Sequence, residues 1–328
     1  MTQLKLLLTR FKEHLEMENY SPKTISDYLN QLQFFLRYLP TENLEELSQI
    51  DKETIHQYQS YLYNSPATKT SALRPPELVG GGRQKRGKGL SLETQYARLV
   101  PLKTFFRWLV KRGYFLYDPT TQLELPKRKK NLPKGIMTRK EISQLLCQPD
   151  ADTILGLRDK AILELLYSTG IRNSELRSLT IYDADTSHGE LRINQGKGRK
   201  DRIIPLGEIA AKYLETYLQI SRPLLAEQQK EKSQNLLFVS KNGRKITLAN
   251  LLWLIAKYTN QAKITKHITA HSFRHTCATH MLRGKSNLRY IQELLGHSSI
   301  ATTQIYTRVE VSDLKREHKR CHPRERNS

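Results

Sequence analysis

The chain has 328 residues, room for about two domains, and carries 54 Lys+Arg against 32 Asp+Glu, a formal net charge of +22. An excess of that size favours a polyanionic partner, nucleic acid first. No run approaches the ~20 apolar residues of a membrane span. Three cysteines at unpaired spacing argue against a disulfide framework or a zinc finger. Charges at Lys5, Arg10, Lys12 and Glu13 interrupt the apolar run a secretory leader needs, so a cytoplasmic protein is expected.

Residues 1–39 read as two helices. Ser21 can cap the second and Pro22 suits its first position. Ile25, Tyr28, Leu29, Leu32, Phe35, Leu36 and Leu39 then share one face. Asp51 can cap a third helix with Ile55, Tyr58 and Leu62 on its stripe. Residues 65–90 break the pattern with prolines and glycines and read as a basic loop, holding Arg83, Lys85, Arg86 and Lys88. Ser91 opens a fourth helix whose face carries Leu92, Tyr96, Leu99, Phe106 and Leu109; Pro101 should kink it and Gly113 should end it. An all-helical domain over 1–117 is expected.

Residues 118–136 read as an extended basic linker, with Lys127, Arg128, Lys129 and Lys130 available to phosphates. Thr138 and Glu141 form a capping-box pattern ahead of Ile142, Leu145 and Leu146. A helix over 156–168 should end at Gly170. The segment GELRINQGKGRKDRIIPL, residues 189–206, predicts a hairpin with Lys197 at its tip. From Asn250 the chain is helical again, broken at Gly296-His297. The second domain, 137–311, is therefore expected to be mostly helical with a small antiparallel sheet, followed by a tail over 312–328.

Certain polar residues form a set: Arg172 just past a helix break, Lys197 on the hairpin, His271 and Arg274 at i, i+3 in HSFRH, His297 at the second break, and Tyr306 beyond it. Each has an ordinary reading as a cap, turn, core or surface residue. Together they suit phosphoryl transfer. A scissile phosphate gains charge in its transition state, and fixed guanidinium groups can stabilise that charge in place of metal ions. No carboxylate cluster sits at ligand spacing, and His271 with His275 at i, i+4 lacks the Glu of HExxH and a third ligand, so no metal or other cofactor is expected. A tyrosine hydroxyl can attack phosphorus. With a reference pKa of ~10, its ionisation at pH 7 costs about 4 kcal/mol. Nearby cations and a proton-accepting histidine lower that cost.

The segments STGIRNSEL, GKGRKDRIIPL, HSFRHTCATHML and LGHSSIATTQIYTRV resemble the tyrosine site-specific recombinases, the phage integrase family, and SPKTISDYLNQLQFFLRYL resembles that family's helical core-binding domain. The resemblance implies the two-domain Xer-like or Cre-like type, without an arm-binding domain, closing as a C-shaped clamp on double-stranded DNA. It implies Arg172 and Arg274 as the phosphate-binding arginines, Lys197 as general acid, His271 as acid/base residue, His297 as the second histidine and Tyr306 as nucleophile. It further implies a homotetramer on paired recombination sites, acting in integration, excision or resolution. In the tail, Val311, Leu314, His318 and Cys321 form a thin stripe that the resemblance implies packs on a neighbouring subunit. Two other readings stand beside this one. One is a type IB topoisomerase-like enzyme that only relaxes DNA; the other is a DNA-binding accessory protein that does not cut.

Overall fold

A computed structural model describes residues 3–39, 50–65, 90–127, 135–194, 201–227 and 235–296. The chain divides into two compact units, Met1–Lys130 and Asn131–Ser328.

Among the described residues, the first unit has four helices: α1 (Gln3–Met17), α2 (Pro22–Tyr38), α3 (Lys52–Asn64) and α4 (Leu92–Lys111). The side-chain oxygens of Ser21, Asp51 and Ser91 each accept the backbone N–H three residues on, so the starts of α2, α3 and α4 are set by local chemistry. Phe11, Phe35, Tyr58, Phe105, Phe106 and Trp108 fill the middle. Phe35 meets Tyr58 edge-on at 4.9 Å and Phe11 meets Phe105 edge-on at 5.1 Å between centroids, while Trp108 stacks on Phe105. Helix α4 is continuous through Pro101, with Arg98, Leu99, Leu102, Phe105 and Phe106 buried on both sides of it. One expectation needs correction. Leu92 is exposed and Tyr96 only half-buried; the buried face begins at Gln95 and Arg98 instead. Arg98 is buried with its guanidinium 4.6 Å from the Phe34 ring centroid. Part of the expected linker packs here too. Leu123 joins this core, and its carbonyl accepts from Lys103 at 2.8 Å.

The second unit is built around α6 (Ile154–Thr169). Leu157, Ala161, Ile162, Leu163, Leu165 and Leu166 are all buried, and so are Asp159, Lys160 and Glu164, so this helix is enclosed on nearly every side, as a central helix must be. Around it lie α5 (Arg139–Leu146), α7 (Asn173–Ser178), α8 (Glu208–Thr216), α9 (Arg222–Ala226), α10 (Leu248–Gln261), α11 (Ala270–Arg283) and α12 (Leu288–Leu295). The Thr138–Glu141 capping box forms at the start of α5.

The sheet has the order β1-β2-β3 and is antiparallel, with β1 (Ala184–Asp185), β2 (Glu190–Ile193) and β3 (Arg202–Pro205). Leu191 pairs with Ile204 and Ile193 with Arg202. The alternation puts Leu191, Ile193 and Ile204 in the core and leaves Glu190 and Arg192 exposed. The hairpin expected over 189–206 is thus present in its two strands, joined by a third short strand that the sequence did not suggest. The fold class is the expected one, mainly α with a small antiparallel sheet. Among the described residues, no helix is long and apolar enough to cross a membrane.

Candidate active site

In the second unit, two described helices end on left-handed glycines. Gly170 closes α6 at φ 59° and Gly296 closes α12 at φ 61°. A side chain at either position would be strained, and the space is also taken. A Cβ on Gly170 would lie 2.9 Å from Leu295 Cδ2, so the two helix ends touch. The last carbonyls of a helix have no partner within it and carry its partial negative charge. Arginines meet them here. Arg274, on α11 and 2% exposed, donates from Nη1 to the Gly170 carbonyl at 2.8 Å and from Nη2 to the Leu295 carbonyl at 2.5 Å. Arg172, at the start of α7, donates from Nη2 to the Gly296 carbonyl at 2.9 Å. The two guanidinium groups therefore sit on consecutive peptide carbonyls.

A carboxylate organises the same corner. Glu175 Oε2 accepts the Arg172 backbone N–H at 2.8 Å, and its Oε1 accepts Arg172 Nη1 at 2.7 Å. Arg202, the first residue of β3, donates Nη1 to Oε1 at 3.1 Å and Nη2 to Oε2 at 2.9 Å. The Glu175 side chain is 5% exposed. Burial alone would raise its pKa, but hydrogen bonds from Arg202 and Arg172, with their charge, hold it down to about 2. Arg172, Arg202 and Arg274 against Glu175 leave two net positive charges at this corner.

His271 opens α11 one turn before Arg274, and its ring lies edge-on to His275 with centroids 4.3 Å apart. Burial, then the charges of Arg274 and Arg172, push the His271 imidazole below its usual value. Burial, His271 and Arg274 bring His275 down to about 4. The lowering favours the neutral form of both rings, the form that can accept a proton.

Of the expected site residues, the structure thus brings Arg172, His271 and Arg274 together. Lys197, His297 and Tyr306 lie outside the described residues. So do Arg83, Lys85, Arg86 and Lys88 of the basic loop, Arg128, Lys129 and Lys130 of the linker, and the tail. Lys127 is exposed. Glu175 and Arg202 were missed. The signal for Glu175 was its place three residues after Arg172, the capping-box spacing. Arg202, in the hairpin segment, offered no comparable signal.

The phage integrase family model matches residues 136–312 of this chain, and the model for the phage integrase N-terminal SAM-like domain matches residues 7–74. The chain is 35% identical to tyrosine recombinase XerC of Oceanobacillus iheyensis, over 99% of this chain and 98% of that protein. It is 32% identical to tyrosine recombinase XerD of Staphylococcus haemolyticus, over 98% of this chain and 100% of that protein. Among solved structures, the XerH site-specific recombinase bound to a palindromic difH substrate, a post-cleavage complex, is similar. Its TM-score is 0.66 at 23% identity, over 96% of this chain and 85% of that one.

Proposed function

This chain belongs to the phage integrase family and is a tyrosine recombinase of the Xer type, an enzyme that cuts and joins DNA strands, and on that premise we propose that it recombines duplex DNA at specific sites through a covalent 3′-phosphotyrosine formed on Tyr306. The observation that carries this reading is the pair of arginines, Arg172 and Arg274, held on the consecutive carbonyls of Gly296 and Leu295 with His271 one turn before Arg274 on α11.

The steps balance as a transesterification. The Tyr306 oxygen attacks phosphorus and its proton passes to His271. The bond to the 5′ oxygen breaks, and Lys197 protonates that leaving oxygen. Arg172 and Arg274 hold the non-bridging oxygens as charge builds. His297 makes a further contact to the phosphate. The 5′-hydroxyl of the exchanged strand then attacks the tyrosyl ester and releases Tyr306. The phosphodiester energy is conserved in that ester, so the chemistry calls for no cofactor. Each copy cuts one strand, and exchange between two duplexes involves four, which favours a homotetramer on paired sites. The net charge of +22 supports duplex DNA as the partner, and integration, excision or resolution is the use we assign.

A nicked suicide substrate tests this. Wild type should leave a protein–DNA band on a denaturing gel, unchanged by chelator within a few-fold. Tyr306→Phe should bind DNA and leave no such band. A band of wild-type intensity from Tyr306→Phe overturns the assignment of the nucleophile, and cleavage that chelator stops and magnesium restores overturns the metal-free mechanism. A wild type that relaxes supercoiled DNA but yields no recombinant product would mark a topoisomerase instead.

A further inference from the structure

Arg202 has no part in the chemistry above, yet it is more constrained than a sheet residue needs to be. It begins β3, and its side chain is 14% exposed. Both of its terminal nitrogens meet the Glu175 carboxylate in the bidentate fork that only arginine offers. Its Nε points to the Leu294 carbonyl at 3.4 Å. Its guanidinium also fills the space beside Gly296, where a Cβ would lie 3.0 Å from Cζ and 3.1 Å from Nε and Nη1. One side chain therefore links the hairpin strand, the carboxylate that holds Arg172, and the last turn of α12.

The charges give this link a purpose. Glu175 has two cationic partners, and Arg172 is one of them. A carboxylate paired with Arg172 alone would cancel the charge that Arg172 should offer to phosphate. We propose that Arg202 is a positioning residue for Arg172: it neutralises Glu175, so the carboxylate can hold Arg172 in place without consuming its charge. This assignment rests on the recombinase mechanism proposed above. Glu175 fixes the Arg172 backbone N–H and Nη1, while Arg202 supplies the compensating charge from strand β3. Arg202 itself need not touch DNA.

The test is a charge rescue on the nicked substrate, read as the single-turnover cleavage rate of the full-length protein. Arg202→Met leaves Glu175 one counter-ion short. One uncompensated unit charge at roughly 6–8 Å, at an effective dielectric near 20, should slow cleavage about thirtyfold to a hundredfold. Adding Glu175→Gln to Arg202→Met restores the net charge while removing still more hydrogen bonding. The double variant should cleave at least about fivefold faster than the single. A merely structural role for Arg202 makes the opposite demand, because the double variant would then be no better folded and no faster.

Thermal melts accompany each variant. If Arg202→Met melts below the assay temperature, Arg202→Lys carries the test instead: it keeps the charge and loses the fork, and should stay within about tenfold of wild type. A folded Lys variant slowed beyond about a hundredfold overturns the proposal, as does a double variant no faster than Arg202→Met, or an Arg202→Met rate within twofold of wild type. Those failures, in a preparation whose wild type forms the covalent band, sink the role of Arg202 alone. A wild type that forms no band overturns the recombinase mechanism, and this role with it.

Discussion

Replacing Gly296 with alanine strikes the point where fold and site meet. The residue lies at φ 61°, ψ 50° as the C-cap of α12. Left-handed backbone costs an L-residue roughly 1–2 kcal/mol, and the stiffer unfolded chain returns about 0.4–1 of that. The new methyl also meets the Arg202 guanidinium at 3.0–3.1 Å. Arg202 must retreat by a few tenths of an ångström, which loosens its bonds of 3.1 and 2.9 Å to Glu175. Weakening part of a charge-assisted pair adds about 1 kcal/mol. The sum, about 2 kcal/mol, should lower the Tm of the second unit by roughly 4–8 °C at that unit's size. Gly189→Ala is the control. Its φ is 65°, but its Cβ would meet only the Leu206 carbonyl, at 3.3 Å. It should lose about half as much and cleave normally. Calorimetry and single-turnover cleavage on both variants check this, with Gly296→Ala expected to cleave about tenfold more slowly. Equal Tm losses in the two variants, with cleavage intact in both, would refute the claim that Gly296 is required by Arg202 rather than by its backbone alone.

Neutralising Lys127, Arg128, Lys129 and Lys130 together should weaken binding to all DNA sequences alike and flatten the salt dependence by a slope of about 3–4; an altered site preference at constant slope would contradict it. Acid should destabilise the second unit. The His275 pKa is about 4 when folded, against an ordinary 6.5. Its neutral form therefore contributes stability above pH 6.5, on the order of 2 kcal/mol, that is lost as pH falls through 4. Glu175, ordinarily near 4.5 and held at about 2, continues the loss below that range. Denaturant melts from pH 7 to 4 should show the slope, and a His275→Gln variant with an unchanged slope would assign it elsewhere. Deleting residues 311–328 should spare binding to one half-site but reduce cooperative binding to two, by gel shift; an unchanged cooperativity ratio would remove the tail from assembly.

Local chemistry was legible because its partners are neighbours in the chain. Ser21, Asp51, Ser91 and Thr138 cap their helices through atoms three residues away. The glycines at 170 and 296 end theirs because no other residue adopts the left-handed turn as cheaply. Two misreadings mark the limit of this logic. The stripe through Leu99, Phe106 and Leu109 reads back to Leu92, but Leu92 is exposed, and at the start of α4 it is Gln95 that turns into the core. Strand β1 spans Ala184–Asp185, too short to show an alternation.

The sequence by itself determined the helical domains, the hairpin strands, the basic character and the set of reactive residue types, since each depends on composition or on spacing within a few residues. Tertiary structure alone decided how Arg172 and Arg274 are held. Their acceptors at Gly296 and Leu295, 124 and 21 residues away, are backbone carbonyls, which every residue possesses and no side-chain pattern distinguishes. It alone decided that Glu175 takes a second cation from Arg202, 27 residues on, because an ion pair between helix α7 and strand β3 forms only once the two elements have packed together.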